Sequence, residues 1–374
     1  AGRRQLKEVV LPEGLREIGE DAFNDCESLE RVNFPSTLIV IGDWALHNCV
    51  SLRVVKLRKG ITSTLTAIGD YAFHKCISLK EVVLPEGLQE IRGHAFWNCT
   101  SLERVNFPST LTAIGVRAFY NCRSLERINF PSTLTVIGDW AFMNCRSLRK
   151  VKLRKVTTIG DGAFGNCYSL ERVSLPSTPT ATGDRAFMNC VLLREVELRE
   201  GLQTIGEGAF HGCRSLERIK LPSTVTAIGD DAFEECKLLR EVELCEGIKT
   251  IGDKAFAKCE SLERFNFPSL TLTAIGDRAF YNTSLRVVEL RRGIQSIGIP
   301  CIRDECIRRQ CESLEWIAIP STVTVIDDDP FYGCVSLRQV KLFGGILRIG
   351  SDAFARCCSL ERIAIPSKAF GIIF

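Results

Sequence analysis

The sequence predicts an α/β solenoid, in which a parallel sheet of about 16 short strands lies on one side and short helical turns lie on the other. Three observations support this fold class. One pattern of about 23 residues recurs along the whole chain. Each copy contains a short alternation of apolar and polar residues, followed by a stretch that we interpret as one or two helical turns. A single copy can bury its apolar face only against neighbouring copies, so the copies must stack.

The repeat is L-x-x-V-x-L-P-x-x-L-x-x-I-G-D-x-A-F-x-N-C, and its opening leucine occurs 16 times. Twelve of the 15 steps between these leucines are 23 residues long. A length of 374 residues alone would predict two or three domains. The repeat instead predicts one solenoid over residues 1–374, with 15 full repeats and a final strand. Insertions interrupt it near residues 61–64 and 298–310.

Each part of the repeat favours a particular local structure. The L-x-x-V-x-L segment alternates as a strand does, and proline follows it in ten copies, for example at Pro12 and Pro35. Aspartates such as Asp139 precede the A-F stretch and are expected to be helix N-caps. Asparagines such as Asn121 and Asn144 near its end indicate a closing residue in the left-handed conformation.

Two residue columns are expected to form the core. The phenylalanine of the A-F pair recurs 13 times, and we interpret it as a structural spine rather than a ligand platform. Fourteen of the 18 cysteines form a second column, interpreted as packing thiols, with a chain of disulfides as the alternative. The structural residues predicted from these columns include Phe119, Phe142, Phe210, Cys122, Cys145 and Cys213.

This pattern resembles the BspA-like class of leucine-rich repeats over about Leu6 to Pro366. The resemblance implies a right-handed curved solenoid with a parallel sheet on its concave face. It also implies a non-enzymatic protein that recognises a protein or a surface, often at the cell exterior. The apolar end at residues 369–374 departs from the polar terminal repeats that solenoids normally have.

From Arg149 onward, the residue after each opening leucine alternates in sign between successive copies, which places acid beside base in the predicted sheet. The balance of 48 basic and 45 acidic residues gives a net charge of +3, so nucleic acid is not an expected partner. The column expected to point into the concavity, with the aromatic Trp316 beside it, supplies the candidate partner-binding residues: Lys56, Asn106, Asn129, Lys152, Glu197, Lys220, Glu243, Asn266, Trp316 and Lys341.

We find no constellation for catalysis, for a metal or for a cofactor. No G-x-S-x-G, H-E-x-x-H or P-loop spacing occurs. His47 and His74 share one outer column and could form a two-histidine metal clip, but this column is expected to be variable and solvent-facing. A membrane span is not expected, because no apolar run of about 18 residues occurs.

The sequence therefore predicts a non-enzymatic scaffold that binds a protein, or alternatively a glycan, through its concave sheet. The alternative function is a structural protein whose ends, including residues 370–374, stack into a larger assembly or filament. The family resemblance favours an extracellular or cell-surface location, with the cytoplasm as the alternative. The partner itself is not encoded in any motif.

Overall fold

A computed structural model describes residues 5–57, 65–178, 181–268, 271–290, 292–294, 296–297, 313–326, 328 and 330–364. The chain forms two compact units, Ala1–Glu197 and Leu198–Phe374. The insertions near 61–64 and 298–310, together with Cys301, Cys306 and Cys311, lie outside the described residues, as do residues 369–374. The single solenoid over the whole chain stays a prediction.

In the first unit, the strands are β1 (Glu8–Val10), β2 (Glu17–Ile18), β3 (Arg31–Asn33), β4 (Val40–Ile41), β5 (Val54–Lys56), β6 (Ala67–Ile68), β7 (Glu81–Val83), β8 (Glu90–Ile91), β9 (Arg104–Asn106), β10 (Ala113–Ile114), β11 (Val136–Ile137), β12 (Lys150–Lys152), β13 (Thr158–Ile159), β14 (Arg172–Ser174) and β15 (Glu195–Glu197).

In the second unit, the strands are β16 (Thr204–Ile205), β17 (Arg218–Lys220), β18 (Ala227–Ile228), β19 (Glu241–Glu243), β20 (Thr250–Ile251), β21 (Arg264–Phe265), β22 (Ala274–Ile275), β23 (Val287–Glu289), β24 (Ser296–Ile297), β25 (Trp316–Ile319), β26 (Val325–Ile326), β27 (Gln339–Leu342), β28 (Arg348–Ile349) and β29 (Arg362–Ala364).

Each unit is a parallel β-solenoid, because every strand pairs in parallel with the equivalent strand of a neighbouring coil. The L-x-x-V-x-L segments form the first-strand sheet, in which β12, β14 and β15 are consecutive neighbours. The isoleucine of I-G-D and the residue before it form a second, shorter strand in each of these coils. In the first unit these strands make a second-strand sheet of seven strands, β2, β4, β6, β8, β10, β11 and β13. Only the first-strand sheet was predicted from the sequence. The predicted count of about 16 strands in one concave sheet is not confirmed, because the described residues contain 29 strands divided among several parallel sheets.

The expected helical turns are not helices: the described residues contain only turns there. The reason is a pair of residues with positive φ, found in 13 coils of the described part of the chain, such as Trp44 (57°) and Asn48 (55°), which an α-helix does not accept. The predicted left-handed closing residues are confirmed at Asn121 (62°) and Asn144 (63°). The first left-handed position was missed because its residue type varies from coil to coil.

The core consists of the two predicted columns. The rings of Phe119 and Phe142 are fully buried and stacked, with centroids 5.2 Å apart and planes 2° apart. None of the 15 described cysteines is in a disulfide, and buried ones such as Cys122 and Cys145 donate S–H to a phenylalanine carbonyl of the preceding coil at 3.2–3.3 Å. This arrangement agrees with packing thiols rather than disulfides.

The aspartates join successive coils instead of capping helices. Asp230 accepts the backbone N–H of Asp253 at 2.7 Å, and Asp253 accepts that of Asp277 at 2.7 Å. A bond to the next coil fixes the spacing between coils at this corner. The N-cap interpretation was therefore wrong about the partner, although the aspartates do accept backbone N–H groups.

A second set of inter-coil bonds follows the alternation of P-E-G and P-S-T corners. Glu86 accepts both the N–H and the hydroxyl of Ser109, at 3.0 and 2.8 Å. Thr110 accepts the N–H of Gly87 at 3.0 Å and donates to the carbonyl of Leu88 at 2.8 Å. Because each corner type provides the groups that the other needs, these bonds favour the alternation of two coil types.

Candidate recognition face

The exposed surface of the first-strand sheet, here called the strand face, carries the residues predicted to bind a partner. Nine of these ten side chains are exposed, and Trp316 is half-buried. Eight of the ten lie on assigned first strands, whereas Asn129 and Asn266 lie just beyond strand or bridge residues. The chain therefore presents the predicted column to solvent, within each unit separately.

Opposite charges sit side by side at several places on this face, as predicted, whereas the basic residues Arg104, Arg127, Lys150 and Arg172 follow one another in register. Arg172 lies 3.0 Å from Glu195, and both side chains are more than half exposed (58% and 61%). Lys220 lies 3.1 Å from Glu243. Exposed pairs of this kind contribute less than about 1 kcal/mol each, so they set the order of coils more than the stability.

The structure brings some predicted residues together. Lys152 and Glu197 flank Ser174 in register, and the Ser174 hydroxyl donates to Glu197 at 2.6 Å. Lys341 lies in register with Ala318, and its Nζ sits 4.5 Å from the centre of the Phe343 ring.

Trp316 is the first residue of β25 and lies two residues before Ala318, the member of the predicted column on that strand. Its neighbours in register are Val287 on one side and Gln339 on the other. Lys56 and Asn106 lie on either side of Val83 in the first unit. Within its own unit, each of these residues lies on the strand face.

The strand face of the second unit contains an open groove between β21 and β23. Its volume is about 750 Å³, and its lining includes Glu263, Arg264, Phe265, Asn266, Ser284, Arg286, Val287, Glu289 and Ser313. The groove lies where the first-strand sheet is interrupted: β21 pairs with β19, and β23 pairs with β25, but β21 and β23 do not pair. The second-strand sheet continues through the same coils as β20, β22 and β24.

Two departures from the repeat account for this opening. Phe265 occupies a position that is valine or isoleucine in the neighbouring strands, and its ring packs against Phe280 of the same coil at 4.7 Å and against Phe256 of the preceding coil at 5.2 Å. The following corner reads N-T-S-L and is one residue shorter than N-C-x-S-L. There the Thr283 hydroxyl bonds to Phe280 of its own coil, whereas Cys259 bonds to Phe233 of the preceding coil. A bulkier residue between the coils and a shorter corner both separate the two strands.

The charges at the groove are only partly compensated by ion pairs. Among the described residues, Arg264 and Glu289 form no ion pair, and the register partner of Arg264, Glu241, pairs with Arg218 at 3.6 Å. Arg286 lies 3.8 Å from Glu315. The groove therefore offers one unpaired cation on β21 and one unpaired anion on β23.

A second groove, of about 490 Å³, lies on the strand face of the first unit. It coincides with another interruption, because β3 pairs with β1 and β5 with β7, but β3 and β5 do not pair. Lys56 is the predicted contact residue in its lining, beside Arg31, Arg53 and Glu30. Both grooves show that openings in the first-strand sheet create the concavities of this face.

Comparisons with known proteins agree with this geometry. The family model of the BspA type leucine rich repeat region (6 copies) matches residues 1–67, 66–193, 180–307 and 300–373. The chain belongs to the BspA-type leucine-rich repeat family. A search of curated proteins found no match.

A solved structure of a leucine-rich repeat protein from Bacteroides ovatus has the same fold. It is 28% identical, with a TM-score of 0.64, over 82% of this chain and 73% of that one. Two further structures match at lower TM-scores. A leucine rich cell surface protein from Faecalibacterium prausnitzii is 23% identical over 92% and 89% of the two chains, with a TM-score of 0.38. The pneumococcal vaccine antigen PcpA is 19% identical over 91% and 78%, with a TM-score of 0.41.

Most groove residues of this BspA-type protein were missed from the sequence, and only Asn266 and Lys56 were named. The signal lies in the coil between Leu262 and Leu285. That coil is 23 residues long, but it gains one residue in P-S-L-T-L-T and loses one at N-T-S-L. Because the two changes cancel, counting from leucine to leucine hides them.

The outer column with His47 and His74 differs from its prediction. His74 is buried (6% exposed) rather than solvent-facing, and its ring lies 4.7 Å from His47 and 4.8 Å from Trp97. Burial is the main reason why the pKa of His74 is lowered, to about 4, and His47 adds to the effect. Within the described residues, no group of three or more metal-ligating side chains occurs.

The described residues also contain no helix that is long and apolar enough to cross a membrane.

Proposed function

We propose that this BspA-type protein is a non-enzymatic scaffold that binds a protein partner through its strand face. The family resemblance supports a position of this face on the concave side of a right-handed solenoid. The observation that carries the proposal is the strand face itself: a row of exposed polar residues interrupted by grooves. Exposed polar side chains and grooves of about 750 and 490 Å³ occur together on this face, and such a combination suits recognition of a ligand.

The charges on this face favour a partner with mixed charge. Lateral ion pairs such as Lys220–Glu243 leave little net charge to attract a polyanion. A folded protein surface or a peptide with both signs of charge is complementary to such a face. A glycan is the alternative ligand, and the cell exterior is the location we propose, from the family resemblance.

A capture experiment with the intact chain tests the proposal. We expect Lys152→Glu, Lys220→Glu and Trp316→Ala to reduce partner capture. Lys249→Glu is the matched control, because Lys249 is exposed but lies just before β20 in the second-strand sheet. Equal capture by all four variants would exclude the strand face, and treatment of the captured material with protease or glycosidase separates protein from glycan.

Sizing of the free chain tests the assembly alternative. A scaffold that works as a separate molecule gives one mass at all concentrations by light scattering. Growth in mass with concentration, abolished by Ile372→Asp, would instead support stacking through the terminal segment.

A further inference from the structure

We propose that the groove between β21 and β23 binds an extended peptide segment, which inserts as an additional parallel strand with an acidic–apolar–basic pattern. This inference rests on the proposed function of the strand face and narrows the partner to a segment of chain with free backbone edges. Three features support it: the width of the groove, the state of its two edges and the charges at its rim.

The strands β21 and β23 lie farther apart than paired first strands such as β19 and β21. Neighbouring strands in a sheet lie about 4.8 Å apart, and an inserted strand needs about twice that. Most Cα–Cα distances between β21 and β23 exceed 8 Å. The coils remain joined behind the groove through β20, β22 and β24, so the opening is confined to the first-strand side.

Both walls of the groove are unpaired strand edges. In the described residues, no backbone hydrogen bond joins β21 to β23. Side chains also reflect the missing neighbour: Val288 is half-buried, whereas the equivalent Ile219 and Val242 are only 2% and 3% exposed. An edge with free N–H and C=O groups is a template for strand addition, and hydrogen bonds to the peptide backbone would satisfy both walls at once.

The register of the repeat defines which peptide residue faces which side chain. Continuing the pairing of β21 with β19 across the groove places Arg264 opposite Val287, Phe265 opposite Val288 and Asn266 opposite Glu289. An inserted strand therefore has its first residue beside Arg264, its second between two apolar residues and its third beside Glu289. Since opposite charges favour cross-strand pairing, an acidic, an apolar and a basic residue complement these three positions in that order.

Other ligand classes fit the groove less well. Arg264 and Arg286 are balanced by Glu263 and Glu289, which disfavours a polyanion. Phe265 is buried (8% exposed), so its ring is not a platform on which a sugar or a base could stack. A peptide backbone instead pairs with the unpaired N–H and C=O groups of β21 and β23, which the groove exposes.

The test uses a capped nine-residue peptide with Glu-Val-Lys at its centre, a fluorescent label and anisotropy as the readout. We expect this peptide to bind the intact chain about tenfold more tightly than the same peptide with Lys-Val-Glu at its centre. N-methylation of the central valine amide removes one backbone donor and is expected to abolish binding, although the side chains are unchanged.

A charge swap in the protein provides the reciprocal measurement. Arg264→Glu combined with Glu289→Lys is expected to reverse the preference, so that the Lys-Val-Glu peptide binds more tightly. Arg172→Glu combined with Glu195→Arg is the matched control, because it swaps charges between the paired strands β14 and β15, away from the groove, and is expected to leave binding unchanged. All four positions are exposed, and circular dichroism confirms that each variant is folded.

Three results would overturn the inference: no binding by either peptide, equal binding after N-methylation, or a preference that the groove swap does not change. Growth of mass in light scattering that the groove swap abolishes would instead identify a second copy of the chain as the occupant.

The partner capture described under the proposed function distinguishes failure of the groove inference from failure of the proposed function. If Lys220→Glu reduces capture and the groove swap does not, the strand face binds but the groove inference is wrong.

Discussion

At the scale of single residues, His74 combines burial with the lack of a hydrogen-bond partner. Neither ring nitrogen of His74 has a partner among the described residues, and the Nδ1 of His47 is also buried without one. Trp97 stacks on His74 with planes 15° apart, and Lys75 adds a positive charge nearby. A protonated imidazole at this position would be desolvated and would face other basic groups, so the folded chain keeps His74 neutral.

The lowered pKa of His74 predicts lower stability in acid. Its folded pKa is about 4, against an unfolded value of 6.5, so the unfolded chain binds more protons between these values. Unfolding free energy therefore falls as the pH decreases from about 6.5 to 4, by about 3 kcal/mol at most from this one group. The pKa values of His47 and His94 are lowered as well, mainly by burial, and act in the same direction.

Urea denaturation at several pH values between about 4 and 7.5 measures this contribution. We expect His74→Asn to flatten the pH dependence, because asparagine does not titrate. His211→Asn changes the same outer column in the second unit, where His211 lies 3.5 Å from Glu234, and leaves the contribution of His74 in place. An unchanged slope in His74→Asn would show that His74 does not control the response to acid.

At the scale of the coil, the I-G-D motif is explained by how closely successive coils approach. A Cβ atom on Gly160 would lie 2.5 Å from the backbone nitrogen of Asp139 and 2.6 Å from the carbonyl carbon of Gly138. These two atoms belong to backbone, which cannot move aside as a flexible side chain can, and the carboxylate oxygen Oδ1 of Asp139 lies equally near. Glycine is therefore required at this corner by the contact with the preceding coil and not by its φ angle.

Alanine at this corner provides a direct test. We expect Gly160→Ala to lower the free energy of unfolding by about 3 kcal/mol, because overpacking forces the two coils apart. Gly19→Ala is the matched control: at the same motif position in the first coil, no atom lies within 4 Å of the place that the alanine methyl group would occupy. This control should lose less than about 0.5 kcal/mol. Similar losses in both variants, measured by urea denaturation, would show that backbone propensity matters more than inter-coil contact.

The elements that could be predicted from sequence are those that a single coil specifies. The L-x-x-V-x-L strand, the buried phenylalanines and the closing residue at Asn121 depend on local alternation and residue type, and all were predicted. The Asp230–Asp253 bond and the P-E-G to P-S-T bonds join different coils, so no single repeat reveals them. The groove was missed because it arises where two coils fail to pair, through Phe265 and the shortened corner at Thr283.

At the scale of the whole chain, the 18 cysteines raise the question of how a proposed cell-surface protein keeps its thiols reduced. The reactive form of cysteine is the thiolate. Burial raises the pKa of Cys49 and of Cys190 to about 12, and it raises that of Cys76 and Cys99 as well. Buried thiols such as Cys99 and Cys190 also donate to a carbonyl of another coil, so the cysteine column is chemically inert while the coils stay packed.

Thiol titration under two conditions tests this account of the whole chain. In denaturant without reductant, we expect at least 15 thiols per chain, because none of the 15 described cysteines is in a disulfide. In the native state at about pH 8, the 12 buried thiols should react far more slowly than the exposed Cys358, since oxidation and alkylation need access and a thiolate. Cys358→Ser should lower the amplitude of the fast phase by one thiol and leave the slow phase of the 12 buried thiols unchanged. A count of free thiols well below 15 in the denatured chain would show disulfides within the column and would contradict the packing-thiol interpretation. Rapid reaction of all thiols in the native chain would show that the coils open readily.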